Sequence, residues 1–248
     1  MLTRLLMALQ NITRIYIYPV KFDEVKFGQA SAFFPLVGLI IGAALYSIYH
    51  VSAKVFPMEV VAALVVVGQI FITGGMHLDG WMDSMDGLFS GRSRERKLEI
   101  MRDSRVGANG VIGLVALLLL KYTLLLHLPV DPLTALLLMG VVSRWAMVYT
   151  FRFFPYARSE GMGRAYKAYT GWREFLVATA TVVVAVYLVA QVQGLILLGL
   201  ICLLTHFIAR QVTHTIGGMT GDTYGATSEG MEVATLFLLY IIGAGEWL

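Results

Sequence analysis

Charge is scarce in this sequence: Asp, Glu, Lys and Arg make up 14% of 248 residues, against roughly a quarter in soluble domains. Cysteine is scarcer. Cys202 stands alone in an apolar run, so no internal disulfide forms and the redox compartment stays open. Strand-period alternation is missing as well, which excludes a membrane barrel. These absences rule out a disordered chain, a disulfide-rich secreted scaffold and an ordinary soluble enzyme. What is present is apolar, 58% of residues with a mean hydropathy of +0.73, as in a polytopic membrane protein. The formal net charge is +3. Basic residues in membrane proteins follow topology, so no nucleic-acid partner is expected.

Crossing the hydrocarbon core takes about 20 mostly apolar residues. Runs near that length occur at 30–51, 58–75, 107–128, 131–151, 174–192, 194–212 and 231–247. Pro35 interrupts the first, and the last is short. Helices are the spanning structure left once a barrel is excluded. The turns Leu128-Pro129-Val130-Asp131-Pro132 and Gln191-Val192-Gln193-Gly194 suit tight connections between antiparallel helices. Ahead of the spans, Leu2, Leu5, Leu6, Leu9, Ile12 and Tyr16 share a face opposite Arg4, Gln10, Asn11 and Arg14. That pattern predicts an amphipathic helix lying in the interface. The expected fold is therefore an all-α polytopic bundle of about seven transmembrane helices plus an N-terminal interfacial helix.

With seven spans, 16 of the 19 basic residues fall on one side, which the positive-inside rule places in the cytoplasm. The acids follow. Asp79, Asp83, Asp86, Glu95, Glu99, Asp103, Glu160, Glu174, Asp222, Glu229 and Glu232 are all expected on that face, with Glu59, Asp131 and Glu246 off it. Topology does not require acids there, so the chemistry is expected at the cytoplasmic face of the cell (inner) membrane.

After the second span the chain reads Gly74-Gly75-Met76-His77-Leu78-Asp79-Gly80-Trp81-Met82-Asp83-Ser84-Met85-Asp86-Gly87. Asp79, Asp83 and Asp86 stand at i, i+4 and i+7, on one helical face. Three uncompensated carboxylates repel one another unless a cation lies between them. Oxygen ligands without cysteine select a hard ion such as Mg²⁺, which leaves positions for water and phosphate. A solvated acidic helix neutralised by nearby arginines is the plainer reading; three acids in register beside Gly and His favour the metal. Downstream, Arg92, Arg94 and Arg96 suit anionic headgroups. Arg102 and Arg105, closing on Gly107 and Gly110, suit a phosphate clamp.

His77-Leu78-Asp79-Gly80, with Asp83, Asp86-Gly87 and Arg96-Lys97-Leu98-Glu99-Ile100-Met101-Arg102-Asp103-Ser104-Arg105-Val106-Gly107, closely resembles the cobalamin synthase family, the adenosylcobinamide-GDP ribazoletransferases. The dense likeness covers 74–113. Looser agreement includes Phe34-Pro35-Leu36-Val37-Gly38, Arg158 with Gly161 and Gly163, and Gly218-Met219-Thr220-Gly221-Asp222 with Gly225, Ala226 and Glu232. The chain departs from the family pattern at the Tyr-rich insert between Arg14 and Pro19 and at Trp81-Met82.

The resemblance implies a reaction. Mg²⁺ holds the pyrophosphate of adenosylcobinamide-GDP, the ribose 5′-hydroxyl of α-ribazole or its 5′-phosphate attacks the cobinamide-side phosphorus, and GMP leaves. The catalytic set is then His77, Asp79, Asp83, Asp86 and Asp103, with Asp79, Asp83 and Asp86 on the metal. Lys97, Arg102, Arg105, Arg158 and Asp222 would hold phosphate or substrate. Either His77 or an aspartate takes the hydroxyl proton. Expected partners are the two small-molecule substrates and the lipid bilayer, with room for a homo-oligomer or other enzymes of cobalamin synthesis. Residues 1–248 read as one catalytic domain, with 1–29 as an interfacial segment and 75–106 as the catalytic cytoplasmic loop.

Elsewhere, Lys121 and Cys202 read as structural, and Arg144 as a structural pair or a phosphate contact. His206, Arg210 and His214 read as snorkelling and helix-end groups. A CDP-alcohol phosphotransferase would follow its Asp-Gly with Ala-Arg, where this chain has Trp81-Met82. A polyprenyl transferase needs a second Asp-rich motif. A transporter would place its carboxylates near the midplane.

Overall fold

The computed structural model describes residues 1–243. Among them the chain is an all-α polytopic membrane protein, and its one strand-like pairing is an isolated bridge between Tyr156 and Met219. The helices are α1 (Leu2–Ile12), α2 (Glu24–Gln29), α3 (Phe34–Ser52), α4 (Met58–Thr73), α5 (Met76–Leu88), α6 (Arg94–Ile100), α7 (Ala108–Leu126), α8 (Pro132–Phe153), α9 (Gly163–Tyr169), α10 (Trp172–Ile216) and α11 (Gly221–Gly243). Five apolar stretches are long enough to cross a membrane, or six if the bent α4–α5 pair counts as one span. Phe71, Leu188 and Leu203 lie exposed on the outside, a lipid-facing surface that water would penalise.

The centre of the bundle is α8, buried along most of its length from Ala135 to Phe151. It meets α3 closely because Gly38, Gly42 and Gly140 remove side chains at the crossing. A Cβ on Gly38 would stand 2.2 Å from the Gly140 carbonyl oxygen. Close approach through small residues is the usual way helices gain contact in lipid. The amphipathic α1 packs Met7, Ala8, Leu9 and Ile12 into the protein core, so part of its apolar face meets protein. It ends at Ile12; Tyr16, expected on the same face, lies beyond it.

Two sequence expectations are corrected, and a third, the turn at 191–194, is kept. Pro35 does not interrupt the first span: it sits in the first turn of α3, where its missing N–H has no partner to lose. The segment from 174 to 212 reads as one helix, α10, but Ala190 and Gln191 leave helical geometry. A Cβ on Gly194 would stand 2.2 Å from the Val186 carbonyl oxygen, whereas an unbroken helix would put these residues about 12 Å apart. The two arms, 172–189 and 192–216, therefore fold back at the expected turn. The last helix does not begin at 231 but at Gly221, which brings Glu229 and Glu232 into the bundle. Residues 244–247 of the expected span, with Glu246, lie outside the described residues.

Between α4 and α5 the chain turns through 94°. Gly74 and Gly75 make the corner, with φ of +67° and +71°, left-handed values that strain any other residue. Arg14 lies against the corner, so a Cβ on Gly74 would meet its Nε at 2.0 Å. Short and carrying Asp79, Asp83 and Asp86, α5 stands apart from the apolar spans.

Candidate active site

The stretch expected to be a catalytic loop at 75–106 contains two helices, α5 and α6. α5 buries His77, Leu78, Gly80, Ser84 and Gly87 and leaves its aspartates exposed or half-buried. Gly80 faces the start of α11, where a Cβ would stand 2.7 Å from the Asp222 carbonyl oxygen. That contact brings Asp222 beside the α5 carboxylates. Burial first, then the charges of Asp222 and Asp79, raise Asp83 to about 7; Arg158 opposes them and Asp86 adds a smaller push. A carboxylate so perturbed is a mark of a functional site.

Asp222 is held from two sides. The Thr220 hydroxyl donates to Asp222 Oδ2 at 3.3 Å and accepts the Thr223 N–H at 3.2 Å, capping α11 as an N-cap threonine does. Arg158 Nη2 lies 2.7 Å from Asp222 Oδ2. Arg158 reaches it because the loop after α8 is pinned to the loop before α11. Ala157 N–H donates to the Met219 carbonyl at 2.7 Å, and Met219 N–H to the Pro155 carbonyl at 2.8 Å. Gly218, with φ +157°, makes room for this pinning: a Cβ there would be 2.6 Å from the Pro155 oxygen.

Asp86 turns elsewhere. Its two oxygens accept Gly107 N–H at 2.7 Å and Gly110 N–H at 2.8 Å, so it caps α7, whose own N-cap residue has no side chain. The amides expected to cradle a phosphate are thus taken by a carboxylate. Lys97 donates to the Leu88 carbonyl at the end of α5. Asp103 pairs with Arg105 at 2.7 Å, and those hydrogen bonds lower its carboxyl to about 2. Among the described residues no hydrogen bond or ion pair links Asp103, Arg105, Arg102 or Lys97 to Asp79, Asp83 or Asp222. His77 is 3% exposed with neither ring nitrogen hydrogen-bonded. Burial foremost, then Arg144, lower it to about 3.

Two cavities flank Asp79. One, about 820 Å³, lies between α1, the α4–α5 corner and α7 and includes Arg14 and Asn11. The other, about 270 Å³, includes His77, Arg158, Asp222 and a set of aromatic rings. Sequence spacing did not reveal those rings, which come from distant segments.

Beneath α5 lies a buried charge network. Lys121 pairs with Glu229 and Glu232, and Arg144 pairs with Glu232 and donates to the Ser143 hydroxyl at 2.8 Å. Gln69 donates to Glu232. All four charges are at most 2% exposed. Glu229 and Glu232 were expected on the cytoplasmic face; they are interior partners of two cations that no apolar helix tolerates alone.

As it stands, no group of three His, Cys, Asp or Glu side chains among the described residues closes tightly enough to cage an ion. The donor set still fits a hard cation. Mg²⁺ commonly takes one or two carboxylates and fills its other positions with water and phosphate, and Asp79, Asp83 and Asp222 lie near enough for their charges to act on one another.

The family described as Cobalamin-5-phosphate synthase matches residues 4–240. A relative from Roseiflexus sp. (strain RS-1), named adenosylcobinamide-GDP ribazoletransferase, is 43% identical over 217 residues, 88% of this chain and 81% of its own. Relatives with the same name come from Desulfitobacterium hafniense (strain Y51), 39% identical over 97% of this chain and 96% of theirs, and Desulforamulus reducens, 37% over 97% of both. No solved structure matches the chain. The extent of the family match and the identity of these relatives over most of both chains show that this chain belongs to the cobalamin-5-phosphate synthase family.

Proposed function

We propose that this protein is a membrane-bound transferase that moves the adenosylcobinamide-phosphate group from adenosylcobinamide-GDP to the 5′-hydroxyl of α-ribazole or of its 5′-phosphate. The new bond joins the 5′-oxygen to the cobinamide-side phosphorus. The phosphoanhydride bond breaks, GMP leaves, and the hydroxyl proton passes to a base. The observation that carries this reading is the carboxylate face of α5 set against Asp222 and Arg158, with a cavity on each side of Asp79, in a chain of this family.

Asp79, Asp83 and Asp222 would hold Mg²⁺, with Asp86 committed to α7. When bound, the ion would neutralise phosphate charge and favour departure of the leaving group. Arg158, with Arg102 and Arg105 nearer solvent, supplies positive charge for the phosphoryl oxygens. Phosphoryl transfer depends mostly on such positioning and electrostatics. A base works best with a pKa near the operating pH. That criterion disfavours His77, which burial foremost lowers to about 3.

The α5 face is taken to be cytoplasmic, in a cell (inner) membrane, because 16 of the 19 basic residues share its side. Counting both arms of α10, and α4 together with its corner, gives seven crossings. Purified protein in detergent with adenosylcobinamide-GDP, α-ribazole and Mg²⁺ should release GMP and form cobalamin. Absence of product with every divalent ion tried would refute the proposal.

A further inference from the structure

The cavity of about 270 Å³ beside Asp79 has an unusual wall. Phe27, Phe34, Phe151, Tyr156, Tyr166 and Tyr224 line it, drawn from α2, α3, α8, the loop after α8, α9 and α11. They form an ordered assembly. Phe151 and Tyr166 stack at 4.8 Å and 10°, Tyr156 and Tyr224 lie parallel within 27° at 6.0 Å, and Asn11 donates its amide N–H to the Tyr166 hydroxyl. Rings gathered from six segments are not the stripe that a single helix presents to a core. The charged groups Asp79, Arg158 and Asp222 also line the cavity.

Of the buried side-chain nitrogens and oxygens without a partner among the described residues, four belong to residues that line this cavity, Arg158 Nε among them. The Tyr224 hydroxyl and both His77 ring nitrogens border this cavity, are buried, and have no hydrogen-bond partner. A buried orphan of this kind costs about 1–3 kcal/mol, and at the edge of a cavity a ligand that bonds it would recover that cost.

On the reading of the reaction given above, three bulky moieties need places: a corrinoid, a guanosine and the acceptor nucleoside. The corrinoid macrocycle is far larger than 270 Å³. Guanine carries donors and acceptors around most of its edge, and an aromatic wall would leave most of them unpaired. The acceptor's dimethylbenzimidazole is flat, carries two methyl groups, and has a single free ring nitrogen that accepts a hydrogen bond. We propose that this aromatic cavity is the binding site for the acceptor base, with the Tyr224 hydroxyl donating to the free ring nitrogen. The ribose then extends toward Asp79 and Asp222, where its 5′-hydroxyl meets the phosphate. The 820 Å³ cavity on the other side of Asp79 is left for the donor.

The test uses the full chain in detergent with adenosylcobinamide-GDP, α-ribazole and Mg²⁺. Tyr224→Phe removes one hydroxyl and keeps the ring, so the wall stays packed. Its KM for α-ribazole should rise about tenfold, as loss of one buried hydrogen bond implies, while the KM for adenosylcobinamide-GDP stays within twofold. The wild type should also accept the α-riboside of benzimidazole much better than that of adenine. A rise in the donor KM with the acceptor KM unchanged would hand the cavity to guanosine and overturn the proposal. So would no change in either constant with an unfolding temperature equal to wild type. Equilibrium dialysis reads the cavity independently of turnover: α-ribazole should bind the wild type about tenfold more tightly than Tyr224→Phe. If the wild type releases no GMP yet shows this difference, the reaction fails and the site stands. Equal binding by the two proteins overturns the site alone.

Discussion

Lys121→Met tests how the bundle carries charge. Lys121 and Arg144 face Glu229 and Glu232, two cations against two anions, all at most 2% exposed. Methionine matches the length of the lysine stem but removes one cation, leaving the group with a net charge of −1. Removing one partner of a buried ion pair typically costs about 3–5 kcal/mol. Against a total stability of order 5–15 kcal/mol, that shifts the folding equilibrium by about two to four powers of ten. The double variant Lys121→Met/Glu229→Gln restores neutrality, because Glu232 keeps Arg144 and the substituted amide carries no charge. It should recover most of the loss, and the coupling between the sites should exceed about 2 kcal/mol in a double-mutant cycle. Thermal unfolding of purified protein in detergent, followed by circular dichroism, measures both. A Lys121→Met protein within about 1 kcal/mol of wild type, or a double variant less stable than the single, would refute the reasoning.

The other predictions follow from the site. Asp86→Ala removes both acceptors at the start of α7 and should cost about 1–2 kcal/mol of stability, measured by the same unfolding assay, while Asp86→Asn keeps one acceptor and loses roughly half that. Mg²⁺ affinity should fall with acidity: Asp83 is raised to about 7, so below that pH the ion must displace a proton and affinity drops about tenfold per pH unit, with a plateau above it. Calorimetric titration between pH 5.5 and 8.5, roughly the range bracketing that pKa, would show the break; a flat profile would contradict it. Gly218→Ala places a Cβ 2.6 Å from the Pro155 oxygen, shifts the loop that carries Arg158, and should cut turnover about tenfold or more with little change in unfolding temperature.

How much of this was readable in the sequence depends on the range of the interaction. The α5 carboxylates were legible because i, i+4 and i+7 spacing is local and α5 forms where the pattern put it. The break in α10 was legible from Gln191-Val192-Gln193-Gly194 for the same reason. The start of α11 was not. Asp222, Glu229 and Glu232 interrupt the apolar pattern, and an apolarity criterion stops at charges whose partners, Arg158 for Asp222 and Lys121 and Arg144 for the glutamates, lie elsewhere in the chain. Two cations inside apolar runs did signal that anions must reach them. The turning of Asp86 to Gly107, 21 residues on, left no local mark, because a glycine that admits a carboxylate looks like one that admits a phosphate. The aromatic cavity left none either: Phe27, Phe151, Tyr166 and Tyr224 meet only through the tertiary fold.

The central claim is that the α5 carboxylates, set against Asp222, carry a phosphoryl transfer. It is tested most directly by GMP release from adenosylcobinamide-GDP in wild type and Asp83→Asn, measured side by side with α-ribazole and Mg²⁺. Asn preserves the shape and cannot supply an anionic oxygen. The account predicts GMP from the wild type and a loss of at least about a thousandfold, or some 4 kcal/mol of transition-state stabilisation, in Asp83→Asn, with both proteins unfolding at the same temperature. Near-normal GMP release by Asp83→Asn would contradict it.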